Sequence, residues 1–179
     1  RMTQTQVLMK PSRFSVFMRG ASCSALIAVS FAPSVVSATP YWWDGGAGNN
    51  DWSDAGNWSD SAAPNASPTV VPGASDIANL TTTSLTGPFN INLNGNRSLS
   101  GLATTNIITT ATLLGGSGTS LLTLGADGIN HTVGGLTIGS ATAGQEVNIA
   151  LAANQKWTSS TAGGGAVAMA LNNALSKSC

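Results

Sequence analysis

Residues Thr119–Ser159, TSLLTLGADGINHTVGGLTIGSATAGQEVNIALAANQKWTS, decide the fold class, because short apolar runs recur there between Gly, Asn, Asp and Ala turns. The runs are Leu121–Leu124, Ile129–Val133, Leu136–Ile138, Val147–Leu151 and Lys156–Thr158, with starts 8, 7, 11 and 9 residues apart. None is long enough for a helix. Within each run aliphatic residues alternate with Thr or Asn, as in Leu136-Thr137-Ile138 and Val147-Asn148-Ile149, which puts one strand face toward a core and the other toward water. Gly125, Gly128, Gly134, Gly135, Gly139 and Gly144 fall where such short strands need corners. The spacing suits a β-sandwich as well, but near-copies such as LLTLGADGI and GGLTIGSAT favour stacked repeats. The expected fold is therefore all-β, a right-handed parallel β-helix or solenoid.

The runs LTLGADGI and LTIGSATAGQEVNIALAANQKWTS resemble the autotransporter-associated β-strand repeat of bacterial surface proteins, whose repeats read L-T-L-G-x-G-I and N-Q-x-W-T. The resemblance extends over about Thr39 to Gly165. It implies a secreted β-helical passenger without catalytic activity, and a translocating barrel or anchor downstream of the sequence given. That family opens its mature chain with a W-D-G…W…N-W segment, then a Pro-rich turn and an aspartate. The matching positions are Trp43-Asp44-Gly45, Trp52, Asn57-Trp58, Pro72 and Asp76.

The start of the chain points to export. Arg1, Lys10, Arg13 and Arg19 precede an apolar core at Ala21–Ala32, and Val36-Ser37-Ala38 is a small-x-small cleavage pattern. Residues 1–38 are expected to be a signal peptide cleaved after Ala38, since the core is short for a membrane span and Pro33 ends it. Cys23 lacks the preceding apolar stretch that lipidation requires, and its loss leaves Cys179 alone, so no intrachain disulfide is expected. The sequence is expected to be an N-terminal fragment, with residues 39–75 forming a Trp/Asp-rich capping segment and residues 76–179 the strand repeats.

Four of the five Trp and four of the seven acidic residues fall within Tyr41–Pro64, YWWDGGAGNNDWSDAGNWSDSAAP. Three uses of this segment compete. As a cap, Trp42, Trp43, Trp52 and Trp58 would cover the first repeat, whose backbone is otherwise open to other chains. As a ligand site, Trp42, Trp43, Asp44, Trp52, Asn57 and Trp58 would offer a polysaccharide both stacking faces and hydroxyl-bonding groups. As a Ca²⁺ loop, Asp44, Asn49, Asn50, Asp51, Asp54 and Asp60 would supply oxygens, though without the D-x-D-x-D-G register or a bidentate Glu. The cap is the expected use.

Catalysis is not expected. His131 is the one histidine, with only Asp127 near it in sequence, so neither a metal centre nor a nucleophile-base pair can be assembled from neighbouring residues. Gly115-Gly116 and Gly163–Gly165 lack the Lys-Ser/Thr of a phosphate loop. The helical part beyond Asp76 carries only Arg97, Asp127, Glu146, Lys156 and Lys177 among charged residues, too dispersed for a lyase or hydrolase face. Past Ala38 three basic residues face seven acidic ones, 3 − 7 = −4, which argues against a nucleic-acid partner. No cofactor and no metal are expected. The function expected is a non-enzymatic, extracellular or cell-surface structural passenger with an adhesive role, associated with the outer membrane and facing host or environmental polysaccharide. A secreted carbohydrate-binding module is the alternative.

Overall fold

A computed structural model of the chain describes residues 37–63, 70–80, 85, 87–105, 110–160, 168–171 and 175–177, the last two groups by backbone. The expected signal peptide lies outside these residues except for its last two positions. The strands are β1 (Thr39–Trp43), β2 (Trp58–Ser59), β3 (Asp76–Asn79), β4 (Phe89–Asn92), β5 (Arg97–Thr104), β6 (Thr110–Leu114), β7 (Ser120–His131), β8 (Gly135–Ile138), β9 (Val147–Leu151), β10 (Trp157–Ser159), β11 (Ala168–Leu171) and β12 (Leu175–Lys177). One 3-10 turn, Ala55–Asn57, precedes β2.

These strands correct the expectation of a right-handed parallel β-helix. They form an eight-stranded mixed sheet, with a path β12-β9-β7-β5-β3-β1-β2 and β10 attached to β7, and a separate four-stranded sheet, β11-β8-β6-β4. A regular solenoid would contribute one strand per coil to each sheet along an unbroken parallel ladder. Here β2 runs antiparallel to β1, and β7 holds both β9 and β10. The physical reason lies at Gly125–Gly128, which was expected to turn a corner between two strands. Instead the segment stays in one twelve-residue strand, and the ladder with β5 absorbs it as an irregularity. Leu99 pairs Leu124 and Gly101 pairs Gly128, so Ser100 alone opposes Gly125, Ala126 and Asp127. Excess residues on one strand bend it while the flanking ladders continue. Ser100 Oγ closes the bend by donating to Asp127 Oδ2, and Gly128 takes a positive φ of 62°.

Parallel register builds the core as columns of side chains. Tyr41, Ala78, Leu102, Ile129 and Trp157 follow one another across β1, β3, β5, β7 and β10, and of these Ala78, Leu102 and Ile129 are buried. Leu122 and Ile149 form a second column, and Ile91, Leu113 and Ile138 a third in the small sheet. Each fully buried Leu or Ile stabilises by about 1.5–3 kcal/mol relative to its exposed state, and eighteen buried residues join in one cluster that includes Trp43, Trp52 and Trp58. His131 sits in this interior, fully buried, with its Nδ1 bonded to Thr104 Oγ1 on the next strand.

Candidate functional site

The Trp/Asp/Asn segment, residues 41–60, folds through a short-range code. A carboxylate, amide or hydroxyl oxygen accepts the backbone N–H two residues on, which satisfies a turn donor without secondary structure. Asp44 accepts from Gly46 at 2.9 Å, Asn49 from Asp51 at 2.9 Å, Asp51 from Ser53 at 2.9 Å and Asp54 from Gly56 at 2.9 Å. Ser59 and Ser61 continue the pattern to Ser61 and Ala63. Asp54 thereby caps the 3-10 turn.

Asn57 is the hub of this loop and has no exposed surface. Its Oδ1 accepts from Ala47 N at 3.1 Å, and its Nδ2 donates to Asn49 Oδ1 at 2.8 Å and to the Asp51 carbonyl at 3.0 Å. Its backbone carbonyl accepts from Asp44 N at 2.9 Å. An amide with every donor used and none wet is a structural tie, and losing it would leave several buried groups unpaired.

The indoles occupy the interior. Trp43, Trp52 and Trp58 are 2%, 0% and 0% exposed. The Trp43 and Trp58 rings meet edge to face, centroids 5.2 Å apart, and Trp52 and Trp58 pack at 4.6 Å. Trp58 Nε1 donates to the Trp52 carbonyl at 2.8 Å, whereas Trp52 Nε1 is buried with no hydrogen-bond partner among the described residues. Trp42, the fourth candidate, is half-buried on β1, and Asp44 is half-buried beyond it.

This loop lies along the outer edge of the small sheet. Asn92 N donates to the Asn50 carbonyl at 2.7 Å and Trp52 N donates to the Asn92 carbonyl at 2.9 Å, joined by the Asp51–Asn92 bridge. The last strand of the large sheet at the same end is the two-residue antiparallel β2. Short edges and bonded edges suppress pairing with other chains.

The six residues expected to form a ligand face are thus brought together, but three of the four rings point into the core, and Asp44 Oδ1 and Asn57 Oδ1 are each engaged by a backbone N–H. For the Ca²⁺ alternative, Asp44, Asp51 and Asp54 each direct a carboxylate oxygen to an N–H, and among the described residues no three His, Cys, Asp or Glu side chains are grouped to hold a metal ion. The turn-closing roles of Asn49 and Asp51, weighed in the sequence only as Ca²⁺ oxygens, are signalled by the i to i+2 spacings Asn49–Asp51, Asp51–Ser53 and Asp54–Gly56.

Asp51 is the electrostatic link between loop and sheet. Its carboxyl is held below the usual carboxylate range by hydrogen bonds from the Ser53 hydroxyl and backbone, with smaller help from the Asn94 amide and the Arg97 charge. Arg97 itself donates from Nε and Nη2 to the Leu93 carbonyl, at 2.9 and 2.6 Å. Glu146 is likewise lowered, chiefly by its own backbone N–H and then by the Thr119 hydroxyl and neighbouring N–H groups. A carboxyl whose folded-state pKa is depressed contributes stability above its unfolded pKa and loses it as pH falls. Melting temperature should therefore drop below about pH 4, and Asp51→Asn should flatten that slope while changing stability at neutral pH by under ~1 kcal/mol, since the group is only half-buried and its charge is partly screened by water. Melts of both proteins between neutral and acid pH check this.

Comparison with protein-family models, with curated proteins and with solved structures finds no match to the chain.

Proposed function

We propose that the chain is a non-enzymatic structural passenger of an exported, cell-surface protein of the autotransporter-associated type, presenting its sheets to the surroundings and serving adhesion. The observation that carries this reading is the commitment of the segment richest in chemistry to the fold itself. Trp43, Trp52 and Trp58 are interior, and Asn57, Asp44, Asp51 and Asp54 hold the loop's backbone. What remains at the surface is sparse in charge and rich in Ser, Thr, Asn and Gly, a composition suited to a polar display surface rather than to proton transfer. The resemblance of the repeat segments and the basic-apolar start supports placement outside the cytoplasm, in an outer-membrane context.

Expression in a Gram-negative host tests the reading. The chain should be recovered outside the cytoplasm with an N-terminus at Thr39, and the purified protein should pass through polysaccharide columns without retention. Cytoplasmic protein retaining residues 1–38 would contradict it. The carbohydrate-binding alternative has one observation in its favour, the partial exposure of Trp42. Retention on a polysaccharide that Trp42→Ala abolishes would make that alternative the leading one.

A further inference from the structure

The turn joining β4 to β5 places a reactive dipeptide against the loop that holds Asp51. Asn94 has φ 49°, the one positive value at a non-glycine residue among those described, and Gly95 follows at φ 125°. Asn94 is exposed, and it is the only asparagine in the sequence followed by glycine. With no side chain on Gly95, nothing shields its backbone nitrogen from the preceding side-chain amide. We propose that Asn94 is a site of spontaneous deamidation, restrained by the neighbouring strand and set two residues from the bridge that ties the Trp-bearing loop to the small sheet.

The chemistry needs only water. Gly95 N loses its proton and attacks Asn94 Cγ, the new N–C bond forms, and the amide nitrogen leaves as ammonia carrying that proton. The resulting succinimide is opened by water at either carbonyl, giving aspartate or isoaspartate. No redox change occurs. In the folded chain both reacting groups are held. Gly95 N donates to Ser120 Oγ at 3.2 Å, Ser120 Oγ donates in turn to the Gly115 carbonyl at 3.0 Å, and Asn94 Oδ1 accepts from Ser117 N at 3.2 Å. Ser120 is buried on β7, so freeing the Gly95 N–H requires the turn to lift from that strand. The reaction rate then reports local opening.

The product alters a specific contact. Asn94 Oδ1 accepts from Ser117 N at 3.2 Å, so conversion puts a carboxylate in place of an amide two residues after Asn92, which bridges to Asp51. The conversion adds a second negative charge two residues from that bridge, and like charges at close range repel. Asp51 belongs to the bridge with Asn92 that joins loop to sheet, while the Arg97 guanidinium is already bonded to the Leu93 carbonyl. Deamidation therefore weakens the seam at the covered edge of the small sheet.

Peptide mapping by mass spectrometry after incubation at mildly alkaline pH tests this. Asn94 should convert ahead of every other asparagine, faster in urea-unfolded than in folded protein. Ser120→Ala should accelerate conversion in the folded chain about three- to tenfold, the population change expected when one ordinary hydrogen bond is lost, while Ser120→Thr, which keeps a hydroxyl, should not. Asn94→Asp should melt lower than wild type, and Asn94→Gly, which tolerates the positive φ and cannot deamidate, should not gain acid at this position. Conversion elsewhere first, or equal rates folded and unfolded, would overturn the proposal without reliance on any variant's folding.

Discussion

Trp58→Ala should destabilise the protein by about 3–5 kcal/mol, a large fraction of the ~5–15 kcal/mol that holds a typical domain together. The ring is fully buried, meets two other indoles, and carries a hydrogen bond to the Trp52 carbonyl. Trp52→Ala should cost a similar amount, because that ring too has no exposed surface. The phenylalanine variants separate packing from bonding. Trp58→Phe leaves the Trp52 carbonyl without its donor, whereas Trp52→Phe removes an indole N–H that has no partner among the described residues. Trp58→Phe should therefore be the more harmful of the two, by about 1–3 kcal/mol, the penalty for a buried group left unpaired. Urea titrations of the four variants provide the comparison. Were these rings a stacking platform for sugar, all four would leave the unfolding midpoint nearly unchanged.

Gly128→Ala should cost about 2–5 kcal/mol, from the left-handed backbone that an L residue resists and from overpacking. Gly128 has φ 62°, and a Cβ there would strike the Lys156 carbonyl and lie 3.1 Å from Trp157 Cδ1 and 3.2 Å from Gln155 Cβ. Those three residues lead into β10, which pairs with β7 from Ile129 onward. Gln155 fixes the approach by donating to the Leu124 carbonyl and accepting from Trp157 Nε1. The substitution thus attacks the place where one bent strand holds two neighbours. Gly118→Ala, where a Cβ meets nothing within 4 Å, should be nearly neutral. Thermal melts of the pair measure the difference, and equal melting temperatures would mean that β7 and β10 do not approach in this way.

Strand positions with strict alternation were legible in the sequence. Val147–Leu151 and the core of Leu136–Ile138 appear as β9 and β8, because period-two burial leaves a clear trace. The union of Leu121–Leu124 with Ile129 into one strand was not legible. A Gly-Ala-Asp-Gly segment carries the same residues whether it turns a corner or bulges within a ladder, and only the pairing with Ser100 on β5 decides between them. Sheet order was hidden for a related reason: β1 pairs β3 across the whole Trp segment, and no local signal encodes a partner that far along the chain. β6 went unread although Thr110, Ala111, Thr112 and Leu113 alternate in burial as the legible strands do. At the candidate site, the residue types drew attention to the Trp-bearing segment, but composition cannot say whether an indole faces water or the core. The register that seats Trp43 opposite Trp58 settles that.

Hydrogen exchange of the indole N–H protons, followed by NMR, tests most directly the claim that this segment is interior structure. Trp58 Nε1–H, buried and bonded to the Trp52 carbonyl, should exchange only as fast as the domain unfolds globally, and Trp52 Nε1–H should be slow through burial, while the half-exposed Trp42 exchanges rapidly. Exchange of Trp58 as fast as that of Trp42 would contradict the account, since the ring would then be open to water and to ligands.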